Sequence, residues 1–303
     1  MKKLFLSLLV IFIFTVVSGC YSMAVSAEEY FSIGMAYYDL GKFEEAEKFL
    51  NRAKQAKRTM VASTYNLGRI AFEMQRYEEA AKYFESILKR DKENVLALKA
   101  AAYSRIRTGE IQKAEKHYSK LLSIVPESAD DGYNHALVLF AMGRFSSAEE
   151  VMLKYPIALE ENKDLMLLFA RNQKAQNKIE AVDSFSNWLG THSDAKVRYE
   201  YAQTLEHHEL YARSIEEYRK TLTDLAADSN DPKRTDVRFA LGRVLLIADS
   251  SSNEGIVEIQ GAANDGFNDI TAIERLITRV SSTHRDTLRD VITNIRIRLE
   301  SNP

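Results

Sequence analysis

The chain has 303 residues, 46% of them apolar and 28% charged, which excludes wholesale disorder. Its 41 Lys and Arg nearly balance 43 Asp and Glu, for a formal charge of −2, so it lacks the basic surplus that nucleic acid demands of a partner. Four Pro and 12 Gly favour long helices over a turn-rich β fold, and one Cys excludes an intrachain disulfide.

The first predicted element is an address. Met1-Lys2-Lys3 precedes an apolar run from Leu4 to Val17 whose polar members are Ser7 and Thr15. As a helix this run rises about 21 Å, short of the ~30 Å hydrocarbon core, and so reads as a signal-peptide core rather than a span. Val17-Ser18-Gly19-Cys20 follows. It resembles the bacterial lipobox: an aliphatic residue, two small residues, then cysteine. The resemblance implies residues 1–19 as a lipoprotein signal peptide, acylation of Cys20, and residues 20–26 as the lipidated cysteine with a short tether. Cleavage after Val25-Ser26-Ala27 is the competing reading, and it discards Cys20. Tyr21 stands where enteric lipoproteins kept in the inner membrane carry Asp, which leans towards the outer membrane.

A repeat comes next. Small residues recur every 34 positions as Gly34, Gly68, Ala102 and Ala136. In the same register stand Gly41, Gln75, Gly109 and Gly143; Phe43, Tyr77, Ile111 and Phe145; Ala46, Ala80, Ala114 and Ala148; and Leu50, Phe84, Tyr118 and Met152. With Tyr30, Ile33, Tyr37 and Ala53, these residues resemble the tetratricopeptide repeat (TPR), a 34-residue helix-turn-helix unit. The resemblance implies an all-α fold: a right-handed superhelical solenoid of antiparallel helix pairs with a C-terminal capping helix. Gly34 and Ala46 mark helices that approach closely. Gly41 marks the break between helices, where glycine adopts a left-handed conformation cheaply. Tyr37, Phe43 and Leu50 fill the space between the pair.

Units one to four are predicted at 27–60, 61–94, 95–128 and 129–162, with Pro126 stopping the second helix of the third. Met166, Phe169, Ala170, Ile179, Ala181, Phe185 and Trp188 mark a fifth unit that loses one residue in its turn. Tyr201, Ala202, Leu205, Tyr211, Ser214 and Tyr218 mark a sixth, so that 27–222 holds about six TPR-like units. The polar run Asp228 to Lys233 is the predicted loop. Residues 236–303 are expected to form divergent helical units and a cap. Leu241, Gly242, Leu245, Gly255, Ile259 and Ala262 outline a seventh pair, with Gly255 one residue late. Leu288, Val291, Ile292, Ile295 and Leu299 form the apolar stripe of a closing helix, with Arg285, Arg289 and Arg296 outside it.

Catalytic signals are weak. None of the six His stands in a metal-binding spacing, and no Cys pair exists for a structural metal. Glu206-His207-His208-Glu209 cannot present both histidines on one helix face, because neighbours point about 100° apart. There is no phosphate-binding Gly-rich loop and no nucleophile elbow. The Glu pairs at 44–45, 78–79 and 216–217 suit helix starts in water. The reading is therefore no enzyme, no cofactor and no metal.

The informative surface is the inner face of the first helices, which lines a concave groove in such solenoids. The core-facing stripe of unit one is Tyr30, Ile33, Gly34 and Tyr37. The offset stripe is Phe31, Met35 and Tyr38, with counterparts Tyr65, Arg69 and Glu73; Lys99, Tyr103 and Ile106; and Tyr133, Leu137 and Phe140. Phe31, Met35, Tyr38, Tyr65, Arg69, Lys99, Tyr103, Tyr133 and Phe140 are the candidate partner-binding residues, since Tyr and Arg are common anchors. The competing reading packs them between neighbouring first helices. The carboxylate clamp of chaperone-binding TPR proteins maps onto Phe31, Met35, Asn66, Leu96 and Ala100, where only Asn66 agrees.

The expectation is a lipid-anchored adaptor at the bacterial outer membrane, facing the periplasm and holding an envelope protein or peptide segment. The alternatives are a ligand-binding accessory of a solute transport system that encloses a small hydrophobic ligand, and a surface-displayed adhesin.

Overall fold

A computed structural model describes residues 25–226 and 229–301. Cys20, the apolar run before it and Tyr21 to Ala24 lie outside the described residues, as does Asp228. The described residues form seventeen α-helices and no strand. None of these helices is long and apolar enough to cross a membrane. The chain divides into two compact units, one ending at Val138 and one beginning at Leu139.

Unit 1 contains α1 (Ala27–Asp39), α2 (Phe43–Ala56), α3 (Val61–Glu73), α4 (Tyr77–Leu88), α5 (Val95–Arg107) and α6 (Ile111–Ile124). The boundary between the units falls within α7 (Ala129–Ala141). A capping box opens α1: Ser26 Oγ accepts from the Glu29 amide at 3.1 Å while Glu29 Oε2 accepts from the Ser26 amide at 2.7 Å. The first helices all end alike. The Lys42 amide donates to Tyr37 O and the Gly41 amide to Tyr38 O, the doubled hydrogen bond of a Schellman turn. Arg76 with Gln75, and Glu110 with Gly109, repeat it. The residue at the bend is left-handed each time, at φ +71° for Gly41, +60° for Gln75 and +77° for Gly109.

Each turn folds a second helix back onto the first, and α1 packs on α2, α3 on α4, and α5 on α6. The small residue of the first helix then receives a large one from the second. A Cβ built on Gly34 would lie 2.8 Å from Leu50 Cγ, and one on Gly68 would lie 2.7 Å from Phe84 Cε1. Ala46, Ala80, Ala114, Leu50, Phe84 and Tyr118 are all buried. Tyr37 stacks on Phe49 at 5.4 Å. Ile33 is the exception to the predicted core stripe, since it is 38% exposed. It lies one residue before the close approach at Gly34, on the flank of α1 facing water.

Unit 2 contains α8 (Phe145–Met152), α9 (Pro156–Glu161), α10 (Lys163–Ala175), α11 (Ala181–Thr191), α12 (Ala195–His207) and α13 (Tyr211–Asp224). It ends with α14 (Arg234–Ala248), α15 (Asn253–Asn264), α16 (Ile270–Ile277) and α17 (Ser282–Ser301). Schellman turns recur at Gly143, Asn177 and Glu209. Ser214 fills the alanine slot of its pair. It is fully buried, and its Oγ donates to Ala202 O at 2.9 Å, which satisfies the hydroxyl inside the contact. Gly242 meets Ile259 and the Gly255 carbonyl as Gly34 meets Leu50, so the late Gly255 still serves a close helix contact.

Three expectations change here. The second helix of the fourth pair stops at Met152 and restarts as α9, because Pro156 disfavours a helical Tyr155. Ile179 is 52% exposed; the left-handed Asn177 keeps its distance of 34 from Gly143, but α11 starts only at Ala181, which leaves Ile179 in the turn. Leu299 is 46% exposed, because the buried stripe of α17 ends at Ile295.

Candidate functional site

In unit 1 the predicted stripe divides by environment. Phe31, Met35 and Tyr38 of α1 are half-buried against Leu50, Leu67 and Ile70, so they fill the space between α1 and α3. Tyr65 leans on Phe84 with ring centroids 5.3 Å apart. Lys99 reaches the buried Asp131 at 2.8 Å, and Asp131 also accepts from Ser128 Oγ at 2.7 Å. Burial and the nearby Asp131 carboxylate push the Tyr118 hydroxyl well above its ordinary range. Tyr133 is half-buried on α7. Phe140 belongs to unit 2, where its ring lies 5.3 Å from Phe145.

The open part of the stripe centres on Arg69 and Tyr103. Arg69 Nη2 donates to the Tyr38 hydroxyl at 2.9 Å and Nη1 to Asn66 Oδ1 at 3.0 Å. Its guanidinium carbon sits 4.5 Å from the centre of the Tyr38 ring, a cation–π contact. These partners are neutral, and they hold the side chain without neutralising it. Tyr103 is 47% exposed, and its ring lies 5.4 Å from Phe72. Together with Glu73, Phe84 and Ala100, these residues line a cavity of about 150 Å³ on the first-helix face of α3 and α5. The cavity is lined by aromatic rings and, one helical turn apart on α3, by the Arg69 cation and the Glu73 carboxylate.

Phe72 is the lining residue that the sequence reading missed. It stands 34 residues after Tyr38 and 34 before Ile106, so strict register selects Phe72 where the reading took Glu73. Both line the cavity. Ala100 had no aromatic or charged signal, and its small side chain leaves the space open.

Arg105 is the other dense cluster of unit 1. It is buried on α5 and held by Glu85 at 2.7 Å, by Glu78 at 2.7 Å and by Glu110. Burial raises the Glu85 pKa, but the Arg105 hydrogen bonds and charge outweigh it and hold the carboxyl below its ordinary value. His117, 3.5 Å from Glu85, is pushed down by burial. This cluster ties α4 to α5.

Sequence models of the tetratricopeptide repeat match residues 27–59 and 65–129. An uncharacterized lipoprotein of Treponema pallidum is 24% identical over 153 residues, 50% of this chain and 78% of that protein. A solved tetratricopeptide repeat protein from Parabacteroides merdae covers 84% of this chain and 98% of its own, at a TM-score of 0.55 and 22% identity. The chain is also similar to YrrB, described as a TPR protein with an unusual peptide-binding site, at a TM-score of 0.53 and 15% identity. That match covers 64% of this chain and 98% of YrrB. The structural likenesses concern fold. With the closed turns and the seated Leu50 and Phe84, the matched residues place this chain in the tetratricopeptide-repeat family.

Proposed function

We propose that the protein is a membrane-anchored, non-enzymatic adaptor of the bacterial cell envelope, and that unit 1 holds an extended segment of a partner protein on α3 and α5. One observation carries the reading: an aromatic cavity remains open beside a guanidinium whose partners among the described residues are neutral. Its volume of about 150 Å³ suits one apolar side chain, whereas pockets enclosing a drug-sized ligand span roughly 300–1,000 Å³. That difference favours a peptide segment over an enclosed hydrophobic molecule. Arg69 and Glu73 would bracket the segment, and Tyr103 would give it an anchor.

The address follows from Val17-Ser18-Gly19-Cys20 and draws support from the lipoprotein name of the Treponema pallidum relative. We infer acylation at Cys20, an outer-membrane location and a periplasmic face. The segment Tyr21 to Ser26 extends at most about 20 Å, which would keep α1 close to the bilayer.

A photo-crosslinking residue in place of Tyr103 tests the groove in intact cells. The expected result is one envelope-protein adduct that disappears with Arg69→Glu and is absent when the probe replaces the exposed Lys48 of α2. An adduct indifferent to Arg69→Glu overturns the reading. Fatty-acid labelling tests the anchor: Cys20→Ser should abolish it, and persistent label refutes acylation there.

A further inference from the structure

Unit 2 carries a cleft of different chemistry. Two adjoining cavities share Arg243, Ile247 and Arg279 as walls. One, of about 400 Å³, extends along α12 past Glu206 to His207. The other, of about 170 Å³, is floored by Phe239 and Leu276 and edged by Arg275. Arg243 is already neutralised, since Glu206 accepts from it at 2.8 and 2.7 Å and also accepts from the Tyr218 hydroxyl at 2.8 Å.

Arg275 and Arg279 differ. Both are exposed, and among the described residues neither guanidinium has a carboxylate within ion-pair distance or a side-chain hydrogen bond. Glu274, the carboxylate next to Arg275 in sequence, is taken by Arg296 at 3.3 Å. Two arginine forks therefore stand beside an apolar floor with no carboxylate in contact, although Glu209 also lines the larger cavity. A planar guanidinium pairs with a carboxylate through two parallel hydrogen bonds, which a lysine cannot do. The apolar floor matches a side chain rather than a bare ion.

We propose that this cleft docks an acidic segment of a partner protein, with carboxylates on Arg275 and Arg279 and an apolar side chain on Phe239, Ile247 and Leu276. The charge of the two arginines selects the occupant. Arg275 and Arg279 lie more than 170 residues along the chain from Arg69 and Tyr103, so variants at the two places separate this site from the one proposed on α3 and α5.

Fluorescence anisotropy on the full chain tests the proposal. The probe is a labelled peptide alternating Glu and Leu, compared with the same peptide carrying Gln for Glu. The acidic peptide should bind at least tenfold more tightly than its Gln counterpart and weaken as salt rises. R275E/R279E should lower its affinity at least tenfold, and Tyr103→Ala should leave it unchanged. R275Q/R279Q provides the same readout if charge reversal reduces helicity. Any of three results overturns the proposal: no acidic-peptide binding at millimolar concentration, equal binding of the two peptides, or binding that survives both arginine variants. Arginine-dependent binding to phosphatidylglycerol vesicles without peptide binding reassigns the cleft to lipid and likewise overturns it.

Discussion

In unit 1 the left-handed turn residue recurs at Gly41, Gln75 and Gly109, and the side chain seated between helices at Leu50, Phe84 and Tyr118, in one 34-residue register. In unit 2 the turn survives at Gly143, Asn177 and Glu209, and Tyr218 keeps the spacing of 16 residues from small to seated residue found in unit 1, but Phe185 and Ile259 each shift by one residue. Ala170 lies 15 residues before Phe185, Ala202 lies 16 before Tyr218, and Gly242 lies 17 before Ile259. Each pair still shares a buried contact. What both units keep is a small residue opposite a large one beside a closed turn. The period is only the cheapest way of placing them, and a turn that gains or loses one residue places them as well.

The units also distribute charge differently. Unit 1 concentrates three carboxylates on one buried arginine, whereas unit 2 spreads its ion pairs over Arg171, Arg198, Arg238 and Arg243. The largest expected effect therefore belongs to Arg105→Met. It would remove the buried cation that Glu78, Glu85 and Glu110 share, leaving Glu78 and Glu110 only the exposed Lys82 and Lys113 and Glu85 only His117. Removing one partner of a buried pair costs about 3–5 kcal/mol, and these carboxylates still reach water, so about 3 kcal/mol is expected. Urea unfolding followed by circular dichroism measures it. A loss no larger than that of Arg171→Met would show that concentrating the charge gives unit 1 no special dependence on it.

The glycine contacts come next. A Cβ at Gly242 would lie 2.7 Å from the Gly255 carbonyl oxygen and 2.6 Å from Ile259 Cγ1, whereas the three atoms nearest to one at Gly68 all belong to the Phe84 ring. Backbone cannot turn aside, and a ring can tilt slightly. Overpacking costs about 1–3 kcal/mol, so Gly242→Ala should fall near the top of that range and Gly68→Ala near the bottom. Trp188, the sole tryptophan, lies in unit 2, and its fluorescence follows the first variant. Equal losses would mean that the drifted pair is packed no more tightly than the regular one.

Acidity sharpens the same contrast. Glu85 has a folded pKa below its unfolded value, so the unfolded chain binds the extra proton. Its contribution is complete above the unfolded carboxylate range and is lost as pH falls through the folded pKa. His117 acts in the same sense at higher pH: its lowered pKa makes folding oppose protonation as pH falls below about 6.5. The wild-type chain should therefore lose stability more steeply than an Arg105→Met, His117→Gln double variant, first below about pH 6.5 through His117 and then below about pH 4.5 through Glu85. Parallel pH profiles from thermal melts would remove the cluster as the cause.

Much of this was legible because a repeat restates itself. Gly41 and Gly109 announced left-handed turns, and the alanine series announced buried contacts. Asn177 and Glu209 did not, since a left-handed Asn or Glu looks like any polar residue until its turn is seen. Pro156 is a break that the 34-residue period masks, and Phe72 is hidden by a one-residue slip from strict register. The cleft at Arg275 and Arg279 could not be read at all. No motif joins Arg243 to Arg279, and only the structure reveals that Glu274 is already occupied by Arg296.

The smallest effect tests the turns themselves. Gln75 holds φ +60° where its neighbours in register are glycines at +71° and +77°, and a left-handed non-glycine residue costs about 1–2 kcal/mol. Glycine also loses more freedom on folding, by roughly 0.5–1 kcal/mol, so Gln75→Gly should gain only about 0.5 kcal/mol. Gly109→Ala should lose about as much, because a Cβ there meets nothing within 4 Å and the penalty is one of backbone alone. Opposite shifts of comparable size in the urea midpoint would show that glycine is favoured by the same margin at both turns and that Gln75 is tolerated strain. If Gln75→Gly instead destabilises, the glutamine side chain contributes a contact that outweighs the strain, and the two positions cease to be equivalent.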